Sequence, residues 1–462
     1  MKMKVLLLNP PSKRLVLRDY YCSTFSKASY LWHPVDLLAQ TGRLWKRHEI
    51  KVLDAVALRM SGEQAEKVIE KIRPEAVLSL TSAGTWKEDF TFLERLKGKT
   101  SFRLFMSGEI FLEDAKNILE KYKFIDGALL NFIEEDFLKF LESDFSPNPR
   151  EIRSSVWRSG DKIEAQVNKA KGTFSLPPMR HELFPLKHYR MPWQRYHPFA
   201  SLLTDYGCPF YCKFCNSRSI GYAIRRNEDI EEELDYIKSL GIKQLFIKDM
   251  TFGASRGHAL EVLELMIRKN YGFAWNAYTR SDIVDEKLLA LMKRAGCHLL
   301  QVGVESADEG LLKNYGKSIT VQQTKDAFRI IKKHGIAVGA HFIFGLPGDT
   351  MEGIRKTVEL ALELDPVYAS FNLAMPRLGA SLESRGWENT PLDSSGETPF
   401  YKLEHITEKG LAAERKRALR KFYFRTSYFK TLIFSVKTTN QIFELFRQAS
   451  GLLKNSILRM GA

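Results

Sequence analysis

Short apolar runs rich in β-branched residues alternate with amphipathic helical runs along most of this chain, and a chain patterned in that way builds parallel α/β layers. The alternation falls into two blocks. In the first, the spacing predicts strands at 4–8, 50–54, 76–81, 102–106 and 125–129, with helical runs such as 63–72 and 112–122 between them. Five such units suggest an open, doubly wound, Rossmann-like sheet. In the second, strands are predicted at 201–206, 244–248, 273–278, 299–304, 336–344 and 367–374, separated by helices at 230–240, 259–269, 286–294, 321–334 and 353–364. Six parallel βα units fit a partial (β/α)6 TIM-type barrel, whose chemistry belongs at the C-terminal strand ends. The expected organisation is therefore a doubly wound domain over 1–145, a proline-bearing linker wrapping the surface over 146–198, the barrel over 199–390, and a basic, amphipathic helical region over 391–462.

The net charge of +15 suits nucleic acid, an anionic membrane surface or an acidic small substrate, and does not choose among them. Its distribution is more informative. From 411 to 462, eleven lysines and arginines stand against Glu414 and Glu444. In the same tail Phe429, Leu432, Ile433, Val436, Ile442, Phe443, Leu445, Phe446, Ala449, Leu452, Leu453 and Ile457 recur at helical spacing. Such a helix either packs its apolar face across the barrel, the reading preferred here, or lies peripherally on an anionic membrane. The N-terminal apolar run is too short for a signal-peptide core, and no run is long enough to span a bilayer, so a cytoplasmic chain is expected.

Three of the five cysteines cluster in Gly207-Cys208-Pro-Phe-Tyr-Cys212-Lys-Phe-Cys215, directly after the first strand of the second block. A compact strand-end loop can turn three thiolates toward one cubane iron–sulfur cluster, leaving one iron open to a non-protein ligand. Structural zinc wants a fourth ligand, and no second cysteine pair or paired histidine lies nearby in the sequence. Cys297 reads as a small buried residue and Cys22 as a loop residue facing no evident partner.

Cys208-x-x-x-Cys212-x-x-Cys215 after a strand, followed by five further βα units, resembles the radical SAM superfamily over about 201–376. The first block is similar to the cobalamin-binding-type domain that precedes the barrel in one large branch of that superfamily. The resemblance implies an enzyme that holds a [4Fe-4S] cluster on Cys208, Cys212 and Cys215, which thereby serve as metal ligands and catalytic residues. The cluster cleaves S-adenosyl-L-methionine reductively, and the resulting radical functionalises an unactivated carbon.

By the same resemblance Phe214 is the aromatic residue beside the third cysteine. Asp249, Met250 and Thr251 offer carbonyls to the methionine amino group, Arg280 and Glu305 bind carboxylate and ribose, and Gly345, Leu346 and Pro347 form the turn that contacts adenine. Arg280 and Glu305 could instead pair with each other or with neighbours in the barrel mouth. Asn276, Tyr278, His341 and Asn372 alternate inward as candidates to line the substrate space, a satisfied polar core being the preferred reading for any one of them. Candidate corrin contacts are Asn9-Pro10-Pro11, Thr81-Ser82-Ala83-Gly84 and Ser107-Gly108, but the Asp-x-His-x-x-Gly pattern that supplies an imidazole to cobalt is absent.

Two outcomes stay open at this point: cobalamin-dependent methyl transfer, or cyclisation or carbon–carbon bond formation without cobalamin. The substrate is a small molecule, lipid-like if the tail meets a membrane, and the electron comes from a flavodoxin- or ferredoxin-like protein. A rival from another class is a basic, zinc-bearing nucleic-acid-binding protein. Against it, the tail contains no recognisable recognition module and its aromatic residues fall on an apolar face.

Overall fold

The structure, a computed structural model, describes residues 2–19, 23–382, 387–388 and 399–458. Cys22 therefore lies outside the described residues.

The first sheet pairs β1 (Lys4–Asn9), β2 (Glu49–Asp54), β3 (Ala76–Leu80), β4 (Arg103–Ser107) and β5 (Gly127–Leu129) in parallel, in the order β2-β1-β3-β4-β5. A parallel sheet covered by helices on both faces needs apolar side chains on both sides, which is why β1 reads as an unbroken run. Leu6 and Leu8 enter one hydrophobic cluster with Val77, Leu104 and Met106. Val5 and Leu7 enter another with Leu78 and Phe105, and that cluster continues into the barrel through Phe199, Leu203 and Phe246. One face of the first domain is thus part of a shared core.

The stretch expected to wrap the surface does otherwise. Its first part forms a hairpin, β6 (Ser155–Ser159) and β7 (Lys162–Gln166), which adds antiparallel strands to the edge of the first sheet beyond β5. Its proline-bearing part is buried at Leu176, Met179, Phe184, Tyr189 and Met191. Irregular backbone can be buried when its polar groups are paired. Here Leu31 and Arg190 exchange backbone hydrogen bonds of 2.8 and 2.7 Å, and Leu176 N–H donates to Asp229 Oδ2 at 2.9 Å.

The second sheet runs β8 (Phe199–Leu202), β9 (Gln244–Ile247), β10 (Ala274–Thr279), β11 (Cys297–Glu305), β12 (Ala337–Phe344) and β13 (Tyr368–Leu373), each strand parallel to the next. β8 and β13 do not pair, so the barrel stays open. The first strand is shorter than its apolar run suggested. Asp249 accepts hydrogen bonds from the backbone N–H groups of Thr204 (2.7 Å) and Asp205 (3.1 Å), and the chain turns there into a short strand, Asp205–Gly207, antiparallel to Tyr222–Arg225. That turn carries the chain to the cysteines.

Helix Glu408–Tyr423 buries Leu411, Ala418 and Phe422 against the barrel and covers the open edge at β13. Arg415 Nε donates to the Phe371 carbonyl (2.8 Å), while the Tyr423 hydroxyl donates to the Ala369 carbonyl (2.8 Å) and accepts from Ala369 N–H (3.2 Å). An unpaired strand edge is thereby satisfied by side chains. Two more helices follow, Thr426–Ser435 and Thr439–Leu458. Val436 and Leu445 pack beneath the barrel on Trp193, Leu299 and Val367, whereas Ile442, Phe443 and Phe446 are exposed. The side chains of Phe429, Leu432, Ile433, Ala449, Leu452, Leu453 and Ile457 lie outside those described. Among the described residues no helix is long and apolar enough to cross a membrane.

Candidate active site at the barrel mouth

Gly207 sets the direction of the cysteine loop. Its φ is +78°, and a Cβ there would stand 1.9 Å from the Gly221 carbonyl oxygen, so only glycine fits. The loop is then pinned by Cys208 N–H to the Gly221 carbonyl (3.3 Å), Cys215 N–H to the Cys212 carbonyl (3.0 Å), Lys213 N–H to the Tyr315 carbonyl (2.9 Å) and Ser217 Oγ to the Phe210 carbonyl (3.1 Å). Cys208 Sγ lies 3.4 Å from Thr251 Oγ1, and Arg280 Nη1 donates to Cys212 Sγ at 3.6 Å.

The three thiols sense one another. Cys215 acts electrostatically on Cys208, and Cys212 on Cys215. Burial pushes the Cys208 thiol up to about 11 and raises that of Cys215. Buried thiols of this kind ionise when a metal centre replaces the proton, which fits a cluster held by thiolates. Among the described residues no group of three His, Cys, Asp or Glu side chains is placed to hold a single metal ion.

The remaining sequence candidates surround this loop in different roles. Arg280 forms a two-bond pair with Asp282 (2.9 and 2.8 Å), and its guanidinium carbon sits 3.8 Å from the centre of the Phe210 ring. It faces a cysteine sulfur. Glu305, at a left-handed φ of +67° where β11 breaks register with β12, receives Lys317 Nζ on Oε1 at 2.7 Å. A carboxylate has further lone pairs on Oε2 for paired hydroxyls.

Asp249 is wholly buried and spends its side chain on the Thr204–Asp205 turn. Met250 is half-buried beside it. Gly345 has φ +82°, and its N–H donates to Asp349 Oδ2 at 2.9 Å. Leu346 is buried with Leu311, Tyr315 and Ala374, with Phe214 packed against that cluster, and the Pro347 carbonyl accepts from the Tyr315 hydroxyl at 2.8 Å. Sequence reading missed Phe210, Asp282, Lys317, Tyr315 and Asp349, which support the site through contacts that local spacing does not encode.

Inside the barrel the exposure alternates. Along β13, Tyr368, Ser370 and Asn372 are partly accessible while Ala369, Phe371 and Leu373 are buried, and His341 and Ile343 on β12 and Tyr278 on β10 follow suit. Inward-facing positions therefore line a space, and outward ones pack on helices. Gly339 makes room for Tyr368, whose ring would lie 2.4 Å from a Cβ there and whose hydroxyl donates to Gln301 Oε1 at 2.6 Å. Asn276 Nδ2, Gln301 Nε2 and His341 Nε2 are buried without a hydrogen-bond partner among the described residues. Burial pushes the His341 imidazole down to about 4.

The first domain closes this space from one side. Lys27 Nζ donates to Asn372 Oδ1 at 2.6 Å, and Trp32 Nε1 donates to Asp19 Oδ2 at 2.9 Å, while Asp19 also pairs with Lys248 of the barrel.

At the strand ends of the first sheet, Arg18 and Asp89 form a fully buried ion pair that also engages Asn9 and Thr85, and Thr81 donates to Asp89 at 2.9 Å. Beyond β4 and β5, Glu109 Oε2 and Asn131 Nδ2 are buried and unpartnered among the described residues. Gly108 passes so close to Thr81 that a Cβ would meet its carbonyl oxygen at 2.3 Å. This end of the sheet offers both acceptor and donor atoms to a large ligand bearing amide side chains, as a corrin does.

Residues 203–361 match the Radical SAM superfamily. The chain is 25% identical over 440 residues to an uncharacterized methyltransferase of Pyrococcus horikoshii, covering 92% of this chain and 93% of that protein. It is 31% identical over 175 residues to the anaerobic magnesium-protoporphyrin IX monomethyl ester cyclase of Rubrivivax gelatinosus, covering 37% of this chain and 32% of the cyclase. Its fold is similar to that of the radical S-adenosylmethionine methyltransferase TsrM from Kitasatospora setae, solved with cobalamin and a [4Fe-4S] cluster, with TM-score 0.63 and 19% identity over 82% of this chain and 74% of that one. The nucleic-acid-binding alternative finds no support among these relatives.

Proposed function

We infer that this chain, an enzyme of the radical SAM superfamily with an N-terminal cobalamin-binding-type domain, methylates an unactivated carbon of a small substrate held inside the barrel. The observation that carries the reading is the cysteine loop: three thiols within eight residues beyond the C-terminal end of a barrel strand, Cys212 buried and Cys208 and Cys215 partly so, with Arg280 donating to the Cys212 sulfur. The choice of methyl transfer over cyclisation rests on the methyltransferase likeness, which runs nearly end to end on both chains, whereas the cyclase likeness covers 37% to 68% of this chain and 32% to 54% of the cyclases.

The [4Fe-4S] cluster, S-adenosylmethionine and cobalamin together supply one-electron reduction, a carbon radical and a methyl carrier. Cys208, Cys212 and Cys215 would hold the cluster. Arg280 places a fixed positive charge at the Cys212 sulfur, where it favours added negative charge. The Asp249–Thr251 carbonyls, Glu305 Oε2 and the Gly345–Pro347 turn would meet an ammonium group, ribose hydroxyls and adenine; the contacts that support this are Thr251 Oγ1 at 3.4 Å from Cys208 Sγ and Phe214 packed against the apolar cluster of Leu346. In the first domain Glu109 and Asn131 would meet the amide rim of the corrin, and no histidine supplies an imidazole through the usual pattern.

Substrate recognition falls to the inner wall. Tyr278 and Tyr368 offer aromatic faces, and Asn276, Gln301 and neutral His341 hold polar atoms that a purely hydrocarbon ligand would leave unsatisfied at a cost of about 1–3 kcal/mol each. A substrate with both a flat apolar portion and hydrogen-bonding groups fits better than a plain lipid. The exposed Ile442, Phe443 and Phe446 on the basic tail favour peripheral contact with an anionic membrane as a matter of location. The electron donor is a flavodoxin- or ferredoxin-like protein.

Anaerobically purified protein given a low-potential reductant and S-adenosylmethionine is expected to release 5′-deoxyadenosine, and Cys212→Ala to lose this by at least about 100-fold. Wild type and variant giving equal traces would sink the reading. Corrin absorbance retained through purification supports methyl transfer, and its failure to load with added cobalamin would turn the assignment to cyclisation.

A further inference from the structure

The outer side of the cysteine loop is unlike the rest of the mouth. Tyr211, immediately before Cys212, is 67% exposed, and Lys213 immediately after it is exposed as well. Arg218 stands with its guanidinium carbon 5.7 Å from the centre of the Tyr211 ring and is held by a 3.0 Å bond to Ser381 Oγ. The neighbouring turn adds Lys313, exposed and two residues before Tyr315, whose carbonyl anchors Lys213; Gly316 of the same turn comes so near the Tyr211 carbonyl that a Cβ would lie 2.7 Å from it. No Asp or Glu occurs in 207–221 or in 310–320. An exposed aromatic ring with Arg218 beside it therefore sits on the cysteine loop itself, with Lys213 exposed on the same loop and Lys313 exposed on the turn that anchors it.

We propose that Tyr211, Lys213, Arg218 and Lys313 form the docking surface for an acidic one-electron carrier protein of the flavodoxin type. This rests on the reading above that the loop holds a cluster. Electrostatic complementarity steers a transient partner into register more than it tightens the complex, and an exposed aromatic ring provides the small desolvated centre that such interfaces use. Electron-transfer encounters are small, so a patch of a few residues suffices. In the step served, the flavin hydroquinone gives up one electron and becomes the semiquinone, the [4Fe-4S] centre gains that electron, and no group is transferred.

The test uses full-length, cluster-loaded protein and a bacterial flavodoxin hydroquinone as the probe, with photoreduced deazaflavin as a small reductant that needs no docking surface. Stopped-flow appearance of semiquinone gives the rate, and electron paramagnetic resonance gives the reduced cluster. In Lys213→Glu/Arg218→Glu the flavodoxin rate constant is expected to fall at least about 10-fold and to become less sensitive to salt, with the deazaflavin rate unchanged. Lys313→Glu, outside the cysteine loop, should give a smaller loss of the same kind. An unchanged flavodoxin rate in both variants, or an equal loss with both reductants, overturns the proposal. A wild type that loads no cluster removes this proposal and the preceding one together; one that loads it and is reduced only by deazaflavin removes this proposal alone.

Discussion

A thiol buried as Cys208 is keeps its proton until a cation takes its place, and Arg280 sets a fixed positive charge on this trio by donating to the Cys212 sulfur. Arg280→Met removes that charge and the ring stacking on Phe210, so the centre should become harder to reduce, with a lower midpoint potential and a S-adenosylmethionine cleavage rate reduced about 10-fold. A redox titration followed by paramagnetic resonance checks this, and an unshifted potential counts against it. His341 carries a pH signature. Its folded value, about 4, lies below its ordinary 6.5, so between those limits the unfolded chain binds a proton that the folded chain does not. Stability should therefore fall as pH drops from 6.5 toward 4, by up to about 1.4 kcal/mol per unit from this group, and the term should be flat outside that window. His298, pushed down to about 3 by burial, extends the same trend to lower pH. Thermal midpoints at pH 7 and pH 5 should differ less in His341→Gln than in wild type.

Among elements, the long parallel strands were legible because burial on both faces leaves them unbroken apolar runs, as at Leu6–Leu8, and the helices because one stripe of each is apolar. The β6–β7 hairpin was not, since β7, Lys-Ile-Glu-Ala-Gln, alternates over only five residues with a single large apolar member and one small one, neither of them fully buried. The turn after β8 was hidden for another reason: the Asp249 carboxylate that ends the strand lies 45 residues from Thr204. The cysteine spacing revealed the ligands, and Gly207 beside them shows why they project as they do. Gly207→Ala forces a Cβ into the Gly221 carbonyl at positive φ, a cost of about 1–3 kcal/mol, and should appear as reduced iron content in otherwise folded protein. Tyr423→Phe takes both hydrogen bonds from the Ala369 edge and should lower stability by about 1–2 kcal/mol in urea.

For the whole molecule, the sequence showed two blocks and a tail but not how they meet. Asp54 of β2 accepts from the Tyr189 hydroxyl at 2.8 Å, His33 bonds Ser201 at 3.0 Å, and Arg447 Nη1 reaches the Ser29 carbonyl at 2.6 Å across 418 residues of chain. Contacts at such separations leave no periodic trace. They make the expected surface linker a packed layer and bring Lys27 and Trp32 of the first domain to the barrel space, so a cofactor in one domain and a substrate in the other would share one enclosure. Everything functional in this arrangement depends on the three sulfurs holding one cluster with an iron left open. The most direct measurement is paramagnetic resonance of the anaerobically reduced protein with and without S-adenosylmethionine, beside iron and acid-labile sulfide analysis. The account predicts about four irons and four sulfides per chain and a spectrum that changes when the nucleotide is added. Zinc without sulfide, or a cluster spectrum indifferent to the nucleotide, would contradict it.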